Sequence, residues 1–152
     1  VTGVIYNPIL NELYVAERGQ SAFLNDRRLS VAARTQLASA VIATGTPHVG
    51  TDGHDAYLAE LRTLMAKTAG IRRNGSAAMD LAWVASGRLD GFWEHGLSPW
   101  DMAAGIVILG EAGGIATGPT GNDDMLQRGS IVAGNETIHG ALISAIAGAH
   151  RG

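Results

Sequence analysis

The stretch from Gly75 to Gly105 constrains the fold of this chain more than any other part of the sequence. Its apolar residues predict a helix from Ser76 to Ser86, a strand from Leu89 to Glu94 and a second helix that starts at Pro99. The first helix is apolar nearly all round, which is typical of a buried helix, and Gly87 ends it. A buried helix that leads into a strand and another helix indicates an α/β protein with helices covering a sheet.

The flanking residues extend this pattern. Residues 1–30 alternate apolar with polar or small positions and contain turn residues at Asn7-Pro8 and Asn25-Asp26, which predicts two or three antiparallel strands. From Val41 onwards, short strands alternate with helices of about 10 to 15 residues, as in a mixed or parallel sheet. The remaining predicted elements are strands 41–44, 71–73, 115–117 and 130–133, helices 55–66, 99–112 and 138–147, and a loop between residues 117 and 130.

Composition excludes several classes of function. The chain has 152 residues, a net charge of −3 and no cysteine, so it forms no disulfide and no cysteine-based metal site. Its only basic pairs are Arg27-Arg28 and Arg72-Arg73, which argues against a general nucleic-acid surface. No apolar run approaches the roughly 20 residues of a membrane span, and the five histidines match no zinc pattern. We expect a cytoplasmic protein with no membrane partner.

Asp101 lies in the first turn of the predicted helix at Pro99. Ser98-Pro99-Trp100-Asp101 has the form of a capping box, which would explain the acid by structure alone. An acid in this position after a strand also points into the crevice where α/β proteins bind ligands. Local sequence leaves both explanations open, and Ala103-Ala104-Gly105 would let a neighbouring backbone approach this helix closely.

Two further polar features lie at turns. Glu94 ends a strand and is either exposed at the rim or directed at a ligand. Gly75-Ser76-Ala77 opens a helix, so its free N–H groups face outward, and Ser76 lacks a partnered base that would make it a nucleophile. The other acids are expected to be solvated or to cap helices, and the three tryptophans to lie in the core or in pocket walls: Asp80, Glu111, Asp123 and Asp124, and Trp83, Trp93 and Trp100.

The same residues carry a family resemblance. Gly-Ser-Ala-Ala at 75–78, Gly-Arg-Leu-Asp-Gly-Phe-Trp-Glu at 87–94 and Pro-Trp-Asp-Met-Ala-Ala-Gly at 99–105 resemble the C-terminal half of the inositol monophosphatase family. Blocks within residues 3–25 and 111–135 match in the same order. The family consists of magnesium-dependent, lithium-sensitive phosphomonoesterases, commonly homodimers.

The resemblance implies a layered α/β/α/β/α sandwich of the inositol monophosphatase and fructose-bisphosphatase type. Residues 1–35 would end the N-terminal antiparallel sheet region, and residues 36–152 would form the C-terminal α/β domain, with its mixed sheet and helices. The implied cofactor is Mg²⁺. Asp101 would be the catalytic metal ligand and would lie beside the substrate, Glu94 would accept hydrogen bonds from inositol hydroxyls, and Gly75, Ser76 and Ala77 would shape the substrate pocket.

The sequence lacks the family's upstream metal ligands, an early Glu and an Asp-Pro-Leu-Asp-Gly-Thr-type motif. One carboxylate cannot hold magnesium, which requires about six oxygens. We therefore expect this chain to be inactive alone and to act with an upstream half of the same enzyme on myo-inositol 1-phosphate or a similar polyol monophosphate. The alternatives are a histidinol-phosphate, fructose-bisphosphate or 3′-nucleotide phosphatase of the same superfamily, or a non-catalytic interaction module.

Overall fold

An antiparallel sheet forms the first part of the molecule. In the computed structural model, which describes residues 1–151, its strands lie side by side in chain order: β1 (Thr2–Asn7), β2 (Glu12–Glu17), β3 (Ala22–Leu24) and β4 (Arg27–Arg28). Val4 pairs with Val15, and Val15 with Phe23. The tight turn at Asn25, where φ is +52°, leads into β4, so this region has four strands instead of two or three.

This sheet has apolar side chains on both faces. Ile5, Tyr14 and Leu24 are buried on the face that meets the helices. Val4 and Tyr6 lie on the opposite face, where each is 53% exposed. A sheet that is apolar on both faces is typical of an internal layer, and only one of these faces is covered by residues 1–151.

The second sheet is mixed, as the sequence predicts. Its five strands lie in the order β6 (Gly70–Arg72), β5 (Val41–Thr44), β7 (Gly91–Glu94), β9 (Ile131–Gly134) and β8 (Ile115–Thr117). β5 is parallel to both β6 and β7, whereas β9 is antiparallel to both β7 and β8. The ends of β5 and β7 therefore lie next to each other at one edge of the sheet.

Within residues 1–151, five α-helices complete the structure: α1 (His54–Met65), α2 (Ala77–Ala85), α3 (Pro99–Glu111), α4 (Met125–Arg128) and α5 (Glu136–Ala149). The predicted helices agree with these bounds to within about two residues. The exception is α4, a single helical turn inside the segment predicted as a loop. Asp124 precedes this turn and pairs with Arg128, an i,i+4 contact that favours a helix. Within residues 1–151, none of the helices has the length and apolar character needed to cross a bilayer.

The elements stack in the order sheet, helices, sheet, helices. Helices α2 and α3 lie between the two sheets, and one core joins Ile5 and Tyr14 of the first sheet to Phe92 of the second. Helices α1 and α5 cover the far face of the second sheet, around Trp93. These four layers match the predicted arrangement of a mixed sheet with its helices and part of an antiparallel sheet.

Small residues allow the close approaches that Ala103-Ala104-Gly105 predicts. A Cβ on Gly3 of β1 would lie 2.6 Å from the carbonyl oxygen of Ala104 in α3. A Cβ on Gly105 would lie 2.6 Å from Cδ1 of Leu81 in α2. Because both distances are too short for a real Cβ contact, glycine at these positions sets how deeply α3 sits between the sheet and α2.

Candidate functional site

Asp101 lies in the first turn of α3 and helps to cap that helix. Its Oδ2 accepts a hydrogen bond from the backbone N–H of Ser98 at 2.9 Å, and Pro99 occupies the first turn of α3. The capping function predicted from the sequence is therefore real. Within residues 1–151, Oδ1 of Asp101 has no hydrogen-bond partner, so capping leaves one carboxylate oxygen available. The capping and ligand functions of Asp101 are compatible.

Glu94 lies at the end of β7 in partly buried surroundings that oppose its charge. Its carboxylate lies against Gly45, the residue that follows β5. Burial raises the pKa of Glu94 to about 7, and the negative charges of Asp80 and Asp101 add to the effect. Arg73 acts in the opposite direction. Asp80 of α2 and Asp101 of α3 therefore both lie within electrostatic range of Glu94 at the end of β7.

Asp80 does not have the solvated or capping character expected from the sequence. Its side chain is buried in α2, with the residue 1% exposed, and the Nδ2 group of Asn74 donates a hydrogen bond to its Oδ1 at 2.9 Å. Burial raises the pKa of Asp80 to about 6. Within residues 1–151 its Oδ2 has no partner. Helix α2 is nearly all apolar and packs in the interior, so the acid in its first turn is buried as well.

The turn before α2 has the geometry expected of a helix start. Gly75 has φ of +91°, which disfavours other residues there. The Ser76 hydroxyl accepts a hydrogen bond from the N–H of Met79 at 3.3 Å, so Ser76 caps the helix. The bond between Asn74 and Asp80 ties the turn to the helix behind it. The charges of Arg73, Asp80 and Asp101 all act on Glu94, so the start of α2, the end of β7 and the start of α3 lie near one another, and we call this region the crevice.

The residues of this crevice do not form a complete metal site by themselves. Among residues 1–151 there is no group of three or more His, Cys, Asp or Glu side chains arranged to hold a metal ion. Asp101 offers one oxygen, and Glu94 is held partly protonated near neutral pH by its surroundings. Since Mg²⁺ requires about six oxygens, this chain can supply only part of a magnesium site.

Comparison with known proteins identifies the family. The family model described as the inositol monophosphatase family matches residues 1–151. The chain belongs to the inositol monophosphatase family. An inositol-1-monophosphatase of Mesorhizobium japonicum is 57% identical over 146 residues, which cover 96% of this chain and 55% of that protein. The Nus factor SuhB of Pseudomonas aeruginosa is 48% identical over 145 residues, which cover 94% of this chain and 54% of that protein.

Solved structures show the same fold. The extragenic suppressor protein suhB of Bartonella henselae superposes with a TM-score of 0.93 and 56% identity, over 96% of this chain and 56% of that one. The chain thus spans about half the length of the family members that it matches. Family membership and fold follow directly, whereas the activity of a whole protein depends on residues beyond those compared.

Two other predictions about this family member differ from its structure. Trp100, expected in the core or a pocket wall, is 81% exposed beside Asp101, whereas Trp93 is fully buried. The first turn of α3 faces outward at Trp100, because α3 packs through Met102 and Gly105. Glu111 is not simply solvated, because it accepts hydrogen bonds from the backbone N–H groups of Gly19 and Ser21 and links α3 to the first sheet.

Sequence reasoning also missed a buried polar cluster around Glu60 of α1. Glu60 is 3% exposed and accepts hydrogen bonds from Trp93 Nε1 at 3.0 Å, His95 Nε2 at 2.8 Å and His150 Nε2 at 2.9 Å. The one available signal was the position of Glu60, which falls three residues after Tyr57 and four before Leu64 on the apolar face of α1. An acid there requires partners, and the histidines supply them.

Proposed function

We propose that this chain forms part of a magnesium-dependent phosphomonoesterase that hydrolyses myo-inositol 1-phosphate or a similar polyol monophosphate. One observation supports the proposal: the charges of Arg73, Asp80 and Asp101 act on Glu94, which indicates that the starts of α2 and α3 lie near the end of β7. Asp101, Glu94 and the Gly75-Ser76-Ala77 turn belong to different elements, and together they would supply a metal ligand, a hydrogen-bond acceptor and backbone N–H groups at a helix start. The name of the Mesorhizobium relative, an inositol-1-monophosphatase, supports the same substrate class.

The three features would divide the work of binding and reaction. The turn at Gly75-Ser76-Ala77 would hold the polyol ring against the start of α2, because Gly75 lets the backbone approach without a side chain. Glu94 would accept hydrogen bonds from ring hydroxyls. Asp101 would hold a metal beside the leaving-group oxygen through Oδ1, while Oδ2 stays bonded to Ser98. Magnesium, when bound, supplies positive charge that stabilises the departing oxygen and activates water.

The remaining carboxylate ligands and the group that positions the attacking water would come from an upstream half of the same enzyme. Residues 1–151 do not assemble them. The apolar outer face of the first sheet, which includes Val4 and Tyr6, is consistent with a further layer there. On this proposal the 152-residue chain alone releases no phosphate from any substrate.

A panel of phosphomonoesters tests the proposed substrate class. The whole protein should hydrolyse inositol 1-phosphate faster than histidinol phosphate, fructose 1,6-bisphosphate or a 3′-nucleotide, only with Mg²⁺ present, and lithium should inhibit it. Faster turnover of one of the other three would reassign the substrate within the superfamily. The 152-residue chain serves as the matched negative control.

A second candidate function is an interaction role without catalysis. The observation that favours it is the name of the Pseudomonas relative, a Nus factor. The presence of both Asp101 and Glu94, within electrostatic range of each other, favours the enzyme. The absence of phosphate release from the whole protein on the entire panel, at saturating Mg²⁺, would favour the interaction role.

The homodimer and the cytoplasmic location implied by the resemblance belong to the same proposal as the enzyme. Light scattering of the purified whole protein tests the dimer.

A further inference from the structure

A cavity of about 700 Å³ opens on the far side of the second sheet from the phosphatase crevice. It lies between α1, α5 and the segment that follows β5. Glu94 and His95 are consecutive residues, so their side chains point to opposite faces of β7. Within residues 1–151 the cavity is lined by His95, and by neither Glu94 nor Asp101. The cavity is therefore a separate site, and its volume suits a small organic molecule.

The floor of this cavity carries a buried negative charge. Burial opposes the ionisation of Glu60, but the hydrogen bonds from His95 and His150 outweigh it and keep the pKa of Glu60 below its ordinary value. A carboxylate has about four acceptor positions, and three are used here. Oε2 accepts from Trp93 and His95, whereas Oε1 accepts only from His150, so Oε1 retains one position.

The charges around the cavity favour a cation. Three carboxylates and one guanidinium line it, and their charges sum to −2. Asp124 and Arg128 form an ion pair at 2.6 Å and cancel, so Glu60 and Asp52 supply the excess. The start of α1 and the end of α5 both face the cavity, and their opposite dipoles offset each other. Side-chain charge therefore decides the sign of the ligand.

The walls are apolar and suit a compact hydrophobic body. They are formed by proline, alanine, isoleucine and tyrosine side chains, namely Pro47, Ala56, Tyr57, Pro119, Ile146 and Ala147. Tyr57 is held in place by stacking on Trp93, with ring centroids 5.9 Å apart, and by a hydrogen bond with Thr44. An apolar wall with a negative floor matches an amphipathic cation better than a metal ion or a sugar.

We propose that this cavity binds a small organic ammonium ion, with its N–H groups directed at Oε1 of Glu60 and its apolar part against the Tyr57 and Ile146 side. The test uses benzylamine as the probe, titrated calorimetrically into the whole protein at about pH 8, where free imidazoles are neutral. Benzyl alcohol is the neutral control of similar shape, and benzoate is the anionic one. Benzylamine should bind at least tenfold more tightly than either.

Three variants separate the site from non-specific binding. Glu60→Gln should remove most of the preference for benzylamine over benzyl alcohol. Ala147→Phe should block both ligands by filling the cavity while leaving the Glu60 cluster intact, so it remains informative if Glu60→Gln fails to fold. Glu136→Gln, an exposed acid at the other end of α5, should change nothing. Equal binding of benzyl alcohol and benzylamine, or unchanged benzylamine affinity in Ala147→Phe, would overturn the proposal.

Discussion

The carboxylate of Glu94 occupies the space that a side chain at residue 45 would fill. A Cβ built on Gly45 would overlap Oε1 of Glu94, so glycine at this position is a steric condition for the placement of the acid. The contact arises because β5 and β7 are parallel neighbours and end at the same edge of the sheet. The position of Glu94 in the crevice is therefore set by sheet topology together with one glycine.

Replacing Glu94 with glutamine should impair recognition more than chemistry. The change removes a charge-assisted hydrogen bond to substrate hydroxyls, worth about 1.5–3 kcal/mol in kcat/KM, or roughly 10- to 150-fold. The loss should be large for inositol 1-phosphate and small for an aryl phosphate that has no hydroxyls. Steady-state kinetics of the whole protein with both substrates measures the difference. Equal losses on the two would show that Glu94 serves the reaction or the fold instead.

The same substitution should stabilise the metal-free chain at high pH. The pKa of Glu94 is about 7 in the folded state against 4.5 normally, so the native state binds more protons between these values. The free energy of unfolding therefore falls as pH rises between these two pKa values. Above this range the destabilisation has reached its full size. At about pH 8, Glu94→Gln should be more stable than wild type by about 1–3 kcal/mol, with no difference near pH 4. Urea denaturation of the variant and the wild type at both pH values tests this. A difference in the free energy of unfolding that is as large at pH 4 as at pH 8 would argue against a titration effect.

Gly105→Ala should destabilise the fold because α2 and α3 pack too closely for an added methyl group. The new Cβ would lie 2.6 Å from Cδ1 of Leu81, and relieving such overpacking costs about 1–3 kcal/mol. Gly110→Ala in the same helix is the matched control. No atom lies within 4 Å of its Cβ position, so alanine there should add about 0.4–1 kcal/mol of stability. Thermal melts of the two variants should shift in opposite directions, and parallel shifts would refute the packing argument.

The fold followed from the sequence where periodicity was strong. The apolar α2, the strand β5 and the closing helix α5 were placed to within about two residues, because each combines a clear period with a glycine, proline or capping residue at one end. The faces of the first sheet could not be assigned. Val4 and Ile5 are adjacent and both apolar, so alternation alone does not reveal which one α3 covers.

The site was predicted in part. Glu94 and Asp101 could be singled out as candidates because each falls at a strand end or helix start, and their roles stay predictions. Asp80 and Glu60 were not, since both acids are buried by packing with residues distant in sequence. Asn74 lies near Asp80 in the chain, but His95 and His150 reach Glu60 from 35 and 90 residues away. No local pattern contains such a contact.

We propose that Asp101 is a metal ligand of a phosphatase, and its substitution by asparagine tests this role. Asp101→Asn keeps an oxygen that can accept the hydrogen bond from Ser98, so α3 should remain capped and the melting temperature nearly unchanged. The substitution nevertheless removes a charged metal ligand.

The most direct measurement is therefore magnesium-dependent phosphate release from inositol 1-phosphate by the whole protein and its Asp101→Asn variant, over a full magnesium titration. We expect kcat to fall by orders of magnitude, roughly 100-fold or more, and the magnesium concentration for half-maximal activity to rise. Turnover close to wild type at saturating magnesium, in a variant that is correctly folded, would contradict the assignment of Asp101 and with it the proposed function.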